Sequence, residues 1–374
     1  MRVILTGGGS AGHINPALAI ANIIKTNDPT AEILFVGTPK GMENDLVSKA
    51  GYEIKHVEIS GIKRSLSPSN IKTAVRVLTA PRKAKKIIEE FKPDIVIGTG
   101  GYACWPSLAA AAKMGIPTII HEANAVPGIA VKQLCGKVDL VLTNFKETAE
   151  KIKKEQKTIC VGMPMRGEFE GISKEEARKR LGIDGKYKKV ILSFGGSLGA
   201  PMVNKAALEV MNNYSSKNTD VIHYHSSGKA NYDKMMVEYK AMGLDKCENI
   251  EVKPYIYDMS LKMAAADIVI CRAGAMTIAE LARLGSVALL IPSPNVADDH
   301  QYKNAKVLED MSAAFVIRES EFDGNIVSDT VLRLANDNEL REKMSKNIGR
   351  FYDLQTNKKI FKEIERLTLQ KDKN

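Results

Sequence analysis

The 374-residue sequence has little of what would place it in a specialised class. Its five cysteines, Cys104, Cys135, Cys160, Cys247 and Cys271, are widely spaced, with no C-x-x-C pair and no histidine at zinc-ligand spacing. That excludes a disulfide scaffold or a structural zinc site, and reads as the reduced, mostly buried thiols of a cytosolic protein. Aromatic residues make up only 6%, with a single tryptophan, and no nucleic-acid-binding motif is present, so nucleic acid is not expected as a partner. Long apolar runs are missing too. The longest uncharged stretch, Ile95 to Ala112, is 18 residues, but Gly98, Gly100, Gly101 and Pro106 break it into strand, loop and helix, so no membrane-spanning helix is expected. The opening MRVILTGGG meets glycine after a few apolar residues and reads as a strand rather than a signal-peptide core. No GKS or GKT occurs, and neither of the two paired glycine loops matches G-x-G-x-x-G followed by an acidic residue about 20 positions on in the expected strand context. A Walker-type NTPase and a nicotinamide enzyme are therefore disfavoured.

What is present is the composition of an ordinary globular protein, 44% hydrophobic and 26% charged, long enough for two or three domains at about 150 residues each. A formal charge of +10 points to an anionic partner, whether a phosphate-bearing ligand or an acidic surface. Short β-branched runs (RVILTG, EILFVG, YEIKHVEI, DIVIGTG, PTIIHE, LVLTN) alternate with helical patterns in the first half, and KVILSF, DVIHYHS, NIEVKPY, DIVICRAG, VALLIP and AAFVI do so in the second. This is the rhythm of βαβ units and parallel sheets. VILTGGGSAG at Val3–Gly12 and VILSFGGSLG at Val190–Gly199 share seven of ten positions at an offset of 187 residues, so each half opens on the same strand and turn. The fold class expected is α/β with two doubly wound, Rossmann-like domains. The boundary is placed near Met165 in a Pro/Gly-rich crossing, giving domains 1–165 and 166–346, with a charged helical segment from about 347 to 374 packing back on the first.

Three glycine turns, Gly7–Gly12, Gly98–Gly101 and Gly195–Gly199, follow strands and lead into helices. Such turns expose backbone N–H groups at the positive end of a helix and leave room for a diphosphate. One turn alone reads equally as a tight β-to-α connection; three, two of them related by repetition, point to a ligand cleft between two domains.

TGGGSAGHINPALA (6–19), GTGGY (98–102), HEANAVPG (121–128), GGSLGA (195–200) and CRAGAMTIAE (271–280), in that order, resemble the MurG family of bacterial UDP-N-acetylglucosamine transferases. The resemblance runs from residue 3 to about 305. It implies a GT-B fold, with the donor nucleotide on the C-terminal domain and a lipid-linked muramyl acceptor on the N-terminal one. It also implies an inverting transfer of N-acetylglucosamine to the muramyl 4-hydroxyl in peptidoglycan synthesis, at the cytoplasmic face of the membrane. By resemblance the donor contacts are Ser10, Ala11, Gly12, Asn124, Arg166, Ser197, Ile256 through its backbone, the helix start Ala275, Met276, Thr277, Ile278 and Ala279, then Glu280 on the ribose and Gln301 on the sugar, with His300 a weaker candidate. On local sequence alone Glu280 reads as a solvated helix carboxylate and Arg166 as a surface charge. Three positions depart from the family pattern: Ser10-Ala11 for Thr-Gly, Leu198 for Gln and Met163 for Asn.

For the acceptor side, Gly98, Gly100, Gly101, Tyr102 and His121 are expected to line the site, with the first glycine turn joining Gly98–Gly101 around a diphosphate. His13 is the first candidate for the base, because neutral imidazole can take a proton near working pH, and Glu122 competes with it. A capping or core histidine explains His13 equally well. No cofactor is implied; Asp298 and Asp299 form only a weak acidic pair, and Mg²⁺ assistance stays open. From Gly61 to Lys92 nine basic residues face two glutamates, a net +7, interspersed with apolar positions. Lys63, Arg64, Ile71, Lys72, Val75, Arg76 and Leu78 are expected to meet an anionic bilayer peripherally, an amphipathic helix facing its own core being the equal alternative. Expected partners are UDP-N-acetylglucosamine, a polyprenyl-diphosphate-linked muramyl peptide, an anionic membrane surface and cell-wall synthesis proteins. Another GT-B enzyme, such as a diacylglycerol glycosyltransferase, or a non-catalytic nucleotide-sugar-binding module, would share the glycine turns and the basic face.

Overall fold

The computed structural model describes residues 1–60, 69–152, 157–165, 167–169, 171–196 and 198–371. The chain divides into two compact units, Met1–Arg166 with Asp353–Asn374, and Gly167–Tyr352. In the first, seven strands form one parallel sheet: β1 (Arg2–Thr6), β2 (Glu32–Gly37), β3 (Glu53–His56), β4 (Ile95–Gly98), β5 (Thr118–Glu122), β6 (Leu140–Thr143) and β7 (Thr158–Cys160), in the order β3-β2-β1-β4-β5-β6-β7. In the second, β8 (Lys189–Phe194), β9 (Val221–Ser226), β10 (Ile250–Lys253), β11 (Ile268–Cys271), β12 (Val287–Leu290) and β13 (Ala314–Val316) pair in the order β10-β9-β8-β11-β12-β13. Each order reverses beside its first strand, between β1 and β4 and between β8 and β11. In open α/β sheets that reversal leaves a crevice at the carboxyl ends of the strands where ligands bind. The repeated VIL-x-x-GGS segment therefore marks the same central strand in each unit.

Helices cover both faces of the first sheet, and the strands read as apolar runs because both faces are buried. Along β1, Val3 and Leu5 enter the core cluster on one face and Ile4 the cluster on the other, the period-2 alternation of a pleated strand. The last helix, Thr356–Lys371, places Ile360, Ile364 and Leu367 at helical spacing into the first of these clusters. Its start is tied down by the Thr356 hydroxyl, which donates to the Val161 carbonyl at 2.7 Å. Asn357 bonds both main-chain groups of Met165. The return to the first unit begins at Asp353 rather than Asn347, because Met344 and Ile348 on the preceding helix Asn338–Gly349 are buried in the second unit. The edge strand β7, Thr158–Cys160, runs directly into the Pro/Gly-rich crossing.

The helix Ser69–Phe91 carries part of the basic segment. In its described C-terminal half Ala80, Ala84 and Ile88 are buried at i, i+4, i+8 in the unit's own core, while Lys83 and Lys85 are exposed and pair with Glu58 and Glu89. That half is an ordinary amphipathic helix. Lys63 and Arg64, and the side chains of Ile71, Lys72, Val75, Arg76 and Leu78, lie outside the described residues. Among the described residues no helix is long and apolar enough to cross a membrane.

Candidate functional site

In the first unit two glycine turns interlock at the ends of β1 and β4. The Thr99 hydroxyl donates to the His13 carbonyl at 2.6 Å, and His13 Nδ1 donates back to the Thr99 carbonyl at 3.1 Å. A carbonyl can only accept, so this bond places the imidazole proton on Nδ1 and makes Nε2 the basic nitrogen. The turns approach so closely that side chains are excluded. A Cβ on Gly100 (φ +100°) would lie 2.7 Å from His13 Nδ1, and one on Gly101 (φ +74°) would collide with the Gly8 carbonyl. The helix Ala11–Asn27 starts inside this arrangement, with Ser10 as an N-cap that makes no side-chain cap bond. The N–H groups of Ala11 and Gly12 have no partner within the helix and stand at its positive end. Ser10 and Gly12 are exposed, and Tyr102, 37% exposed, lies against Gly9.

Sequence reasoning missed the carboxylate that shapes this turn. Glu43, 1% exposed, accepts from the Thr38 N–H at 2.9 Å, the Thr38 hydroxyl at 2.7 Å and the Gly9 N–H at 3.3 Å. Burial opposes its ionisation, but the bonds from Thr38 and Gly9 outweigh that and hold its pKa below the ordinary value. In the sequence GMEND it reads only as an acidic residue in a helix's first turn. Thr99, inside a glycine motif, was likewise passed over.

Several expected contacts lie in enclosed positions. His121 is fully buried, donates from Nε2 to the Gly162 carbonyl at 2.9 Å and is driven down to about 4 by burial. It is a neutral strand residue with its Nε2 proton already committed. Glu122, 3% exposed, accepts from Asn124 N–H (2.9 Å), Asn124 Nδ2 (3.1 Å) and Gly128 N–H (2.8 Å). Both of its oxygens accept bonds that fold the loop presenting Asn124. Burial raises its pKa. Gly98 is a buried strand residue whose missing Cβ makes room for Leu108.

In the second unit the helix Ala275–Leu284 starts directly beyond β11, with Gly274 as an extended N-cap that offers no side chain. The N–H groups of Ala275, Met276 and Thr277 have no partner within the helix. The side chains of Ile278 and Ala279, the next two residues of the expected donor segment, are buried at 0% and 3%, and the Ile278 N–H bonds the Gly274 carbonyl. Glu280 is half-buried on the same helix, close enough that its charge joins burial in raising the Cys271 thiol. Gln301 accepts the Ser293 N–H through Oε1 at 2.9 Å, which turns its amide NH₂ outward as the donor end. The Ile256 side chain is 2% exposed, leaving only its backbone for recognition. His300 Nδ1 is held by the Ala297 carbonyl. Asp299 pairs with Arg318 at 3.4 Å, and among the described residues no group of three or more His, Cys, Asp or Glu could hold a metal ion. Arg166 and Ser197 lie outside the described residues.

Residues 3–143 match the glycosyltransferase family 28 N-terminal domain and residues 190–364 the family 28 C-terminal domain. A protein of Acetivibrio thermocellus named UDP-N-acetylglucosamine--N-acetylmuramyl-(pentapeptide) pyrophosphoryl-undecaprenol N-acetylglucosamine transferase is 44% identical over 349 residues, 93% of each chain. A Bacillus pumilus protein of the same name is 40% identical over 92% of this chain and 93% of its own. The crystal structure of Acinetobacter baumannii MurG superposes with a TM-score of 0.78 at 26% identity, covering 98% of this chain and 99% of that one. With both domain matches in order, and relatives of this identity along nearly the whole length, the chain belongs to glycosyltransferase family 28, among the MurG-type N-acetylglucosamine transferases.

Proposed function

We propose that this chain transfers N-acetylglucosamine from UDP-N-acetylglucosamine to the 4-hydroxyl of undecaprenyl-diphosphate-linked N-acetylmuramyl-pentapeptide, with inversion at the anomeric carbon. The observation that carries this is the 44% identity, over 93% of both chains, to a relative named for that transfer. The two-domain family match and the paired switch-point turns are consistent with it.

The chemistry follows from the residues. His13 Nε2, made basic by the Nδ1–Thr99 bond, takes the proton of the acceptor hydroxyl as its oxygen attacks the anomeric carbon. The bond from that carbon to the diphosphate breaks, and the charge left on UDP is met by the N–H groups at the start of the helix Ala275–Leu284 and by the turn Gly195–Gly199, with Ser197 and Arg166 adding donors. Glu280 accepts from the ribose hydroxyls, the Ile256 backbone reads the uracil, and Gln301 donates to the sugar. Asn124, Ser10, Ala11 and Gly12 complete the donor contacts. Gly100, Gly101 and Tyr102 line the acceptor. The basic segment from Lys63 to Leu78 seats the enzyme peripherally on an anionic, cytoplasmic membrane face, where cell-wall synthesis proteins are its neighbours.

The test is turnover. Labelled UDP-N-acetylglucosamine is incubated with the lipid-linked muramyl acceptor, and in parallel with diacylglycerol. A labelled lipid-linked disaccharide from the first acceptor alone is the expected product; transfer only to diacylglycerol, or to neither, refutes the reading.

A further inference from the structure

Beside the glycine turn Gly195–Gly199, side chains that take no part in the proposed donor contacts form an unbroken buried chain. Ser215 Oγ lies 3.0 Å from His223 Nδ1, and His223 Nε2 lies 2.8 Å from Ser193 Oγ. Ser193 Oγ is 2.7 Å from His225 Nδ1, and His225 Nε2 is 3.2 Å from Asn204 Oδ1. Asn204 Nδ2 ends the chain 3.1 Å from the Ser227 carbonyl. Ser193, Ser215, His223 and His225 are wholly buried, and Asn204 is 5% exposed. In HYHS the two histidines are two residues apart on β9, so they share a face of the sheet, and Ser193 on β8 is in register with His225. Burial drives both imidazoles down to about 3, so each carries a single ring proton at neutral pH.

The Ser193 hydroxyl also approaches the Tyr224 carbonyl at 3.5 Å, a longer contact than its 2.7 Å approach to His225 Nδ1; with its proton on the shorter contact, one arrangement of protons fits the five links. The Ser227 carbonyl can only accept, so Asn204 donates its N–H there and turns Oδ1 toward His225. His225 must then donate from Nε2, which leaves Nδ1 to accept the Ser193 hydroxyl. Ser193 in turn accepts from His223 Nε2–H, and His223 Nδ1 accepts from Ser215. All five bonds point the same way, toward Ser227. That carbonyl is the seat of the glycine turn: Gly199 (φ +75°) rests on it so closely that a Cβ there would collide with the Ser227 oxygen.

We propose that Ser193, His223, His225 and Asn204 are positioning residues, a one-directional hydrogen-bond chain that fixes the Ser227 carbonyl and through it the turn Gly195–Gly199 that receives the donor's diphosphate. This rests on the assignment of UDP to the second unit. Series bonds of one polarity polarise one another, and a break leaves buried groups unpaired. The effect on the turn should therefore depend on where the break falls.

Two measurements test it. ¹⁵N NMR of the histidine side chains in the whole wild-type protein at neutral pH should show His223 and His225 both protonated at Nε2 and bare at Nδ1; an Nδ1–H form at either site overturns the proposal, and this needs no variant to fold. UDP binding by calorimetry should weaken about tenfold in Asn204→Ala, at the turn, and by less than about twofold in Ser215→Ala, equally buried but at the far end. Both variants should lose thermal stability, so a merely structural role predicts similar losses of affinity; equal effects, or none in Asn204→Ala, overturn the proposal. Glu280→Ala separates the two readings. If it weakens UDP binding about 10-fold or more while Asn204→Ala is silent, only the positioning chain fails; if it leaves UDP binding intact, the donor assignment fails and the proposal with it.

Discussion

His13 and Thr99 are tied to each other twice in opposite senses, hydroxyl to carbonyl at 2.6 Å and imidazole to carbonyl at 3.1 Å. The first bond anchors the backbone of one glycine turn to the other; the second sets the tautomer of the imidazole. The same two residues thus hold the proposed acceptor turns together and orient the proposed base. This coupling leaves no room for side chains at Gly100 and Gly101, where a Cβ would press on the His13 imidazole.

His13→Gln should lower kcat by about 10²- to 10⁴-fold, the usual share of a general base, while UDP affinity changes little. Thr99→Val keeps the carbonyl partner of Nδ1 but removes the hydroxyl that donates to the His13 carbonyl. A stability loss of about 1–3 kcal/mol with a smaller fall in kcat is expected. Steady-state kinetics beside calorimetric UDP titration separates the two; a His13→Gln enzyme with near wild-type kcat removes the base assignment.

Glu43 and Glu122 are both buried carboxylates, yet their pH linkage has opposite sign. Glu43's pKa is lowered on folding, so its contribution is present above the ordinary carboxylate value and is lost as pH falls through the depressed one. Glu122's pKa is raised, so its contribution is present below the ordinary value and is lost as pH rises through the raised one. Relative to wild type, Glu43→Gln should therefore be most destabilising at neutral pH, by about 1–3 kcal/mol, because Gln would set an amide against the Thr38 and Gly9 donors. Glu122→Gln should be most destabilising in acid and less so as pH rises. Denaturant melts across pH 4 to 8, roughly the span of shifted carboxylates, measure both slopes, and slopes of the same sign would contradict the assignment.

The sheets were legible because strands buried on both faces, such as VIL in β1 and IVI in β4, are continuous β-branched runs, and the repeat located the central strand of each unit. Burial of individual polar groups was not legible. HEAN reads as two catalytic candidates, but nothing local reveals that His121 and Glu122 end a strand whose every residue is enclosed. The same blindness hid Glu43, whose partners Thr38 and Gly9 lie in other segments. His223 and His225 did carry a signal, since histidines at i and i+2 of an apolar strand must share a face, but their partners Ser193 and Asn204 come from elements far along the chain. Conversely, the glycine turns were legible because a turn that admits no side chain constrains its own sequence directly.

Glu280→Ala should raise the KM for UDP-N-acetylglucosamine by about 10-fold or more and leave the acceptor KM near its wild-type value, since a carboxylate accepting two hydroxyls makes charge-assisted bonds. Glu280→Gln, which still accepts, should fall between. A parallel rise in both KM values would place Glu280 outside the donor site.

Removal of the chain after Tyr352 should unfold the first unit selectively. It strips Ile360, Ile364 and Leu367 from the core beside Val3, Leu5 and Ile97, at about 1.5–3 kcal/mol each, and also removes the Thr356 bond to the Val161 carbonyl. Several kcal/mol is a large fraction of a domain's stability. Hydrogen exchange on the truncated chain should show protection lost in β1 and β4 and retained in β8 and β11. Retained protection in β1 would show that the returning helix is dispensable.

Membrane binding is where the basic segment divides into two parts with different tasks. The half from Ala80 to Ile88 spends its apolar face on the unit's own core, with Lys83 and Lys85 already paired to Glu58 and Glu89, so it offers a bilayer no apolar face. The proposed contact therefore concentrates in the segment from Lys63 to Leu78. Charge reversal at Lys63, Arg64, Lys72 and Arg76 should weaken binding to vesicles rich in anionic lipid by about 1 kcal/mol or more per site. Reversal at Lys83 and Lys85 should do much less, since it disturbs exposed ion pairs worth little in water. Wild-type binding should itself fall as salt rises from about 0.01 M to 0.15 M and the screening length shortens. Vesicle co-sedimentation across this series checks all three; equal losses from the two sets of reversals would move the contact to the C-terminal half, and undiminished binding in both would remove the segment as a docking face.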